Sequence, residues 1–347
     1  MSAQGSYFFV CLFQTAAKNA SLEPNQNRGV FMKLKVATCQ FPTDADINKN
    51  RKHILTLMAQ AKKQGADVAH FPEACLSGYA GVDFASFGGG FEQKSGTASD
   101  FDWDLLQQAS EEILAQAKEL KLWLVLGSSH RLSGDHKPHN SLYIISDEGK
   151  IIDRYDKLFC AGDKSGETGD LAHYSSGNHF CVFEINGIRC GAQICHDYRY
   201  PELYREYKRQ GVQLMFHSFH AGHISSQMYQ FMEHQVGNEN HQYNPATTIP
   251  GITQPAAMHA GASNNYMWIS CPNSSGKQSC WASFFIRPDG VITGNVPLHT
   301  TGLVISEVDT GAAFYDSTIA WRERVMNGVF HSGDLVVDTR SVNRTRL

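Results

Sequence analysis

The chain has 347 residues, enough for one large domain or two ordinary ones, and 42% are hydrophobic, which suits a soluble globular protein with a sizeable core. Its 30 Lys and Arg against 34 Asp and Glu give a net charge of −4 with no basic block or arginine stripe, so no nucleic-acid partner is expected. No apolar run approaches the ~20 residues that span a bilayer, and nine cysteines without a Cys-x-x-Cys pair point to reduced thiols in a cytoplasmic setting rather than a disulfide framework.

Residues 1–31 read as an N-terminal extension outside the core. Tyr7-Phe-Phe-Val-Cys-Leu-Phe13 is apolar, but it is short and lacks the basic flank of a secretory signal. Met32 is the natural beginning of the domain, followed by an opening strand, Lys33-Leu-Lys-Val-Ala-Thr-Cys-Gln-Phe-Pro. The first helix is predicted over Ile47–Gln64, with Asp46 as N-cap, Ile54, Met58 and Ala61 as its apolar stripe, and Gly65 at C′. Gly65-Ala-Asp-Val-Ala-His-Phe-Pro-Glu73 is an apolar run that ends in a carboxylate. A second helix covers about Asp104 to Leu120, with Leu106, Ala109, Ile113, Ala117 and Leu120 on one side, and a strand follows at Leu122–Ser128. The turn Asp147-Glu-Gly-Lys150 leads into a short strand, Ile151-Ile-Asp-Arg-Tyr-Asp-Lys157, that ends in a lysine.

Cys181-Val-Phe-Glu-Ile-Asn-Gly-Ile-Arg-Cys-Gly-Ala-Gln-Ile-Cys195 reads as two strands joined by the hairpin turn Asn186-Gly187. In the second strand Ile188, Cys190, Ala192 and Ile194 alternate onto one face, and Cys195 falls at its C-terminal end. Pro201 opens a helix with Glu202 in its first turn. A thiol between a strand end and a helix start lies among unpaired backbone N–H groups, which lower a thiol pKa and bind an oxyanion. A Glu, a Lys and a Cys thus each stand at a strand terminus, where layered α/β proteins gather their ligand sites.

A strand is predicted at 212–216, helices near Ser226–Val236 and Gln254–Asn264, and strands at Tyr266–Cys271, Trp281–Arg287 and Gly302–Val308. His217-Ser-Phe-His220-Ala-Gly-His223 has an i, i+3, i+6 spacing, but no His-Glu-x-x-His or Cys/His set accompanies it and it reads as a loop. No metal and no cofactor are expected. The long segment Ala221–Pro255 is open between a lid, an oligomer contact and an inert insertion. Helices and strands alternate, but many strand connections are hairpins, which favours mixed sheets in a layered α/β protein.

Phe71-Pro-Glu73, Tyr155-Asp-Lys157 and Ile194-Cys195-His-Asp, the last followed by Arg199-Tyr-Pro-Glu-Leu, resemble the three signatures of the nitrilase superfamily of carbon–nitrogen hydrolases. They stand in the family's order, and the resemblance covers about Met32 to Ala320. It implies a four-layer αββα sandwich of two mixed β-sheets with helices outside, and a carbon–nitrogen hydrolase domain over 32–320. It also implies a C-terminal tail, 321–347, at the subunit interface of a homodimer or larger homo-oligomer.

The resemblance further implies a Glu73, Lys157, Cys195 triad. Cys195 attacks the carbonyl carbon of a small amide or N-carbamoyl compound, Glu73 moves protons, and Lys157 with the backbone N–H of His196 stabilises the oxyanion. A thioester forms with release of ammonia and is then hydrolysed. The family's second glutamate has no direct counterpart: the matching position is Asp170, Glu167 lies three residues earlier, and both stay open. True nitrilases tend to carry Trp-Glu after the nucleophile; His196-Asp197 is closer to the amidase and carbamoylase branches. A nitrilase acting on a nitrile and a catalytically inactive binding protein of the same fold are the alternatives. A cysteine peptidase is disfavoured, because His196 is too near Cys195 in sequence to act as its base. Asp197 and Arg199 are expected to form an ion pair that positions the nucleophile turn. Tyr79, His196, His220 and the Cys271-Pro-Asn-Ser turn are candidate substrate contacts.

Overall fold

Parallel pairing through helical crossovers and antiparallel pairing through hairpins alternate along the chain, and both arise from local signals already visible in it. The computed structural model describes residues 31–87, 101–134 and 136–345. The extension over 1–30 and Cys11 lie outside the described residues; the other eight cysteines are free thiols.

The first half runs β1 (Lys33–Gln40), α1 (Ile47–Lys63), β2 (Val68–His70), α2 (Trp103–Leu120), β3 (Trp123–His130), β4 (His139–Ile145) and β5 (Ile151–Asp156). The second half runs β6 (Val182–Ile185), β7 (Ile188–Ile194), α3 (Pro201–Arg209), β8 (Leu214–Ser218), α4 (Ser226–Val236), α5 (Ile249–Asn265), β9 (Trp268–Cys271), β10 (Phe284–Ile286), β11 (Ile292–Asn295) and β12 (Gly302–Asp309). They form two six-stranded sheets, ordered β12-β1-β2-β3-β4-β5 and β11-β10-β9-β8-β7-β6. In the first sheet β1, β2 and β3 are parallel; in the second β7, β8 and β9 are; the remaining pairs are antiparallel. Both sheets are therefore mixed, as expected.

Asp46 caps α1 by accepting from the N–H groups of Asn48 and Lys49. Asn186 and Gly187 take φ values of 49° and 80°, the two positive values that a tight twisted hairpin requires. The alternation in β7 has a direct outcome: Ile188, Cys190, Ala192 and Ile194 all face the first sheet, packing with Val125, Leu142, Ile144 and Tyr155. Helices α1 and α2 cover the outer face of the first sheet through Ile54, Leu57, Met58, Ile113 and Ala117. Tyr204 and Tyr207 of α3 and Met258 and Ala262 of α5 cover the outer face of the second. The result is the αββα order. Each fully buried aliphatic side chain contributes about 1.5–3 kcal/mol by leaving water.

Three elements differ from the sequence reading. Helix α5 begins at Ile249, five residues before the predicted start, because Thr248 caps it and Pro250 is compatible with a first helical turn. The strand predicted at 212–216 is shifted to Leu214–Ser218 and takes in His217, which was read as loop. The strand predicted over 281–287 shrinks to Phe284–Ile286; Ser283 donates its N–H to Gln40 Oε1 at 2.7 Å instead of to a neighbouring strand. The segment from Ala221 to Pro255 holds α4, a 3₁₀ turn and the first part of α5.

A polar seam crosses between the sheets beside the site. His70 lies between Ser270 Oγ and Ser218 Oγ, 2.8 Å from each, and Ser218 Oγ donates to the Phe71 carbonyl. Burial pushes the His70 pKa well down, so the ring is neutral and needs one donor and one acceptor. This seam fixes the end of β2 against the end of β8.

Candidate active site

The ends of β2, β5, β7 and β8 converge at one edge of the sandwich. Glu73 lies three residues past β2, Lys157 directly follows β5, Cys195 directly follows β7, and His220 lies two residues past β8. The Glu73 N–H donates to the Phe219 carbonyl at 3.2 Å, which ties the two sheets at the site. Ala74 and Cys195 take φ values of 50° and 38°. A non-glycine residue enters that region at a cost of about 1–3 kcal/mol, and such residues concentrate at functional sites.

Lys157 Nζ is fully buried, 2.7 Å from Glu73 Oε1 and 2.7 Å from Asp170 Oδ2. Burial alone would lower its pKa; the Asp170 and Glu73 carboxylates overcome this and hold it well above the ordinary lysine value, so it is an ammonium. The Asp170 carboxyl is held low in turn: burial opposes its charge and the Lys157 ammonium wins. Asp170 also accepts from the Tyr79 hydroxyl and from the Ala161 N–H. Glu167 is exposed and takes no part, so of the two carboxylates left open, Asp170 is the one that joins the lysine. Asn140 Nδ2 donates to Glu73 Oε1 at 2.8 Å, so this oxygen has two donors. Glu73 Oε2 is buried and has no hydrogen-bond partner. One oxygen is anchored and the other is free for a proton.

The Cys195 thiol corrects one expectation. Burial pushes its pKa well above the usual thiol value, and the Glu73 carboxylate pushes the same way; the Lys157 ammonium and the His220 N–H only partly offset them. The resting group is a thiol, not a preformed thiolate, and needs a base. Gln254 Nε2 lies 4.0 Å from the sulfur. His217, neutral because burial lowers its pKa to about 3, bridges the Cys195 carbonyl at 3.2 Å and the Tyr204 hydroxyl at 2.7 Å.

The expected Asp197–Arg199 ion pair does not form. Asp197 is buried and accepts from the Tyr155 hydroxyl (2.7 Å), the Phe159 N–H (2.9 Å) and the Ile194 N–H (3.0 Å). The Arg199 guanidinium lies over the Tyr198 ring, 4.7 Å from its centroid. Three neutral donors make up for part of the desolvation that a cation would have offset, and burial still raises the Asp197 pKa to about 6. Asp197 holds the nucleophile turn by hydrogen bonds to the chain on both sides.

Of the candidate substrate contacts, Tyr79 and His220 stack on one another with ring centroids 5.1 Å apart, and Lys157 Nζ sits 5.8 Å from the Tyr79 ring centre. His196 is half-buried; burial and the nearby Lys157 charge lower its pKa. Asn273 of the 271–274 turn is buried, accepting from the Ala221 N–H and donating to the Trp281 carbonyl. It braces the loop after β8.

Asp83, His220 and His223 are the one group of three side chains among the described residues whose ligand atoms lie close enough for a metal ion. Asp83 contacts His223 Nδ1 at 2.6 Å and His220 Nε2 at 3.1 Å. Both contacts are within hydrogen-bonding distance. Burial would lower the His220 pKa, but the Asp83 carboxylate raises it. Asp83, Asn140 and Gln254 were not singled out in the sequence: nothing local marks them, and they act through partners 137, 67 and 59 positions away.

The carbon-nitrogen hydrolase family profile matches residues 35–314. An amidase from Nesterenkonia sp. has the same fold, with a TM-score of 0.60 at 18% identity, over 86% of this chain and 96% of its own. A form of the Nesterenkonia sp. AN1 amidase with the acetamide moiety of fluoroacetamide on its active-site cysteine gives 0.58 at 18% identity, over 80% and 89%. In sequence, the omega-amidase of Bos taurus is 26% identical over 184 residues, 52% of this chain and 61% of its own. The 2-oxoglutaramate amidase of Bacillus subtilis (strain 168) is 27% identical over 190 residues, 53% and 64%. The chain spans about three-fifths of the length of these curated relatives. With the family profile running from the first strand to just past the last, on a two-sheet sandwich of the same architecture, this chain belongs to the carbon–nitrogen hydrolase family.

Proposed function

We propose that the protein is a thiol-dependent amidase that hydrolyses a small amide or N-carbamoyl compound through a Cys195 thioester, releasing ammonia. The observation that carries this reading is the buried Lys157 ammonium held at 2.7 Å by both Glu73 and Asp170, beside the Cys195 thiol.

Glu73 Oε2, which has no other partner, takes the thiol proton as the sulfur bonds to the carbonyl carbon. The carbonyl π electrons move to oxygen, where the Lys157 ammonium and the His196 N–H stabilise them. Glu73 returns the proton to the nitrogen, the C–N bond breaks, and ammonia leaves a thioester. Glu73 then draws a proton from water, the water oxygen bonds to the acyl carbon, and the C–S bond breaks as Glu73 returns that proton to the sulfur, releasing the carboxylic acid and restoring the Cys195 thiol. A thiol that rests protonated makes the base essential. Asp170, at the position matching the family's second glutamate, keeps Lys157 charged and in place.

The names of the omega-amidase and 2-oxoglutaramate amidase relatives support a terminal amide over a carbamoyl group. The test is ammonia release from a panel of ω-amides, simple amides, N-carbamoyl compounds and nitriles, with mass spectrometry of the quenched enzyme. An acyl adduct on Cys195 supports the reading; no ammonia from any compound, or turnover with no adduct in rapid-quench samples, overturns it. Nitrile turnover without amide turnover would replace it with the nitrilase reading.

The tail past 320 exposes Trp321, Phe330, Leu335, Val336 and Val337, which supports a homodimer formed through this segment. Light scattering of the full chain against one ending at residue 320 tests it. Free thiols throughout the described residues support a reducing compartment such as the cytoplasm. No helix among those residues is long and apolar enough to cross a membrane.

A further inference from the structure

Helix α5 meets the nucleophile turn at two points. The Thr253 hydroxyl lies 3.1 Å from the Tyr198 hydroxyl, and Gln254 reaches the sulfur of Cys195 itself. Gln254 is buried, and its carboxamide has a defined orientation. Its Oε1 accepts from the Trp281 indole N–H at 2.6 Å, and an indole nitrogen only donates. The amide nitrogen is thereby turned toward Cys195. Trp281 is itself held edge-on against Phe219 at 4.9 Å and tilted at 47° against Phe284 at 5.1 Å, so its N–H direction is set by packing. Helix α5 carries Pro255 in its interior, so the Gly251 carbonyl lacks its helical donor next to this residue.

We propose that Gln254 is a positioning residue for the nucleophile: oriented by Trp281, it supplies a fixed N–H donor to the Cys195 sulfur as the thiolate forms. It acts beside the His220 N–H, the other donor at the sulfur. The donor matters because burial and the Glu73 carboxylate disfavour the anion more than the Lys157 ammonium and the His220 N–H favour it. The proposal rests on Cys195 being the nucleophile. It gives the end of the Ala221–Pro255 segment a function, since the segment delivers α5 to the turn.

The test uses Gln254→Ala, Gln254→Glu and Trp281→Phe in the full chain. Iodoacetamide alkylation of the Cys195 peptide is followed by mass spectrometry from pH 6 to pH 10.5, with Cys195→Ala as blank and with kcat and KM measured alongside. A lost hydrogen bond to an anion is worth about one pKa unit. Gln254→Ala should therefore raise the apparent thiol pKa by about half a unit to one unit and lower kcat more than it raises KM. Gln254→Glu keeps the Trp281 bond but faces the sulfur with an anion, so it should raise the pKa further. Trp281→Phe frees the carboxamide to turn its oxygen toward the sulfur and should shift the pKa in the same direction. Loss of stability alone would expose a thiol of ordinary pKa and speed alkylation, a shift opposite to the one expected. Below the inflection a rise in pKa displaces the whole rate–pH profile, so a profile displaced by less than about 0.2 units in both Gln254 variants overturns the proposal. If Cys195→Ala still turns over amides, the nucleophile assignment fails instead, so the two failures are distinguishable.

Discussion

Replacing Lys157 with Met removes one ammonium and leaves two buried carboxylates facing each other. Lys157 Nζ touches Glu73 and Asp170 at 2.7 Å each, with the three side chains at most 4% exposed. Breaking a buried pair from one side costs about 3–5 kcal/mol, because the orphaned charge stays desolvated. That is a large part of the 5–15 kcal/mol typical of a folded domain, so Lys157→Met alone will be poorly stable. Adding Asp170→Asn removes one of the two orphaned charges and should recover a substantial share of that loss. Turnover behaves differently. Loss of one oxyanion donor lowers kcat about 10²–10³-fold, and neutralising Asp170 restores no donor at the substrate oxygen. The double variant should thus regain stability in urea unfolding but not ammonia release, and Lys157→Arg, with its planar fork in a close-packed site, should also lose much of the rate. If a well-folded Lys157→Met or double variant keeps kcat within about threefold of the parent, far from the expected loss, Lys157 is only a structural ion-pair partner and the triad reading fails.

Cys195→Ala should abolish turnover while leaving the circular dichroism spectrum unchanged; substantial residual activity in a clean preparation would refute the mechanism. Asn140→Ala should lower kcat by about tenfold with less effect on KM, since it removes one of two donors that fix Glu73 Oε1, a charge-assisted bond worth about 1.5–3 kcal/mol; an unchanged kcat would mean that Lys157 alone orients the base. Exhaustive chelation should leave the rate unaltered, whereas loss restored by added zinc would assign Asp83, His220 and His223 as its ligands. Asp197 titrates near pH 6 in the folded protein against an ordinary 3.8, so the native state holds this proton more tightly than the unfolded chain. Its contribution is favourable below about pH 4 and is lost as pH rises to about 6, a change of about 3 kcal/mol. Urea unfolding of the parent minus Asp197→Asn should fall with pH across that window; a flat difference would refute the shift.

Much of the fold is local in origin and therefore legible in the chain. The Asp46 cap and Gly65 stop of α1, the Asn186-Gly187 turn, and the alternation of Ile188, Cys190, Ala192 and Ile194 depend on neighbours a few positions apart, and each appears where the sequence places it. So do the strand-end positions of Lys157 and Cys195. Elements marked by prolines and glycines were less legible. Pro250 and Gly251 fall before the predicted helix start at Gln254, yet Thr248 caps a helix that absorbs them, because a proline costs nothing where the N–H has no helical acceptor.

What only the tertiary structure decided is charge state and partnership. Sequence places a thiol among helix-start N–H groups and calls it acidified; the packed site reverses this, because burial and Glu73 outweigh Lys157 and one N–H. Sequence pairs Asp197 with the nearby Arg199; the fold buries the acid against Tyr155, Phe159 and Ile194 and turns the arginine onto an aromatic face. The choice of Asp170 over Glu167 and the recruitment of Asn140 and Gln254 are decisions of the same kind. Periodicity and caps are set by hydrogen bonds and side chains a few residues apart. A pKa or an amide orientation is set by what surrounds the group in three dimensions, and here that surrounding includes chain segments 84 positions away for Lys157 and Glu73 and 137 for Asp83 and His220.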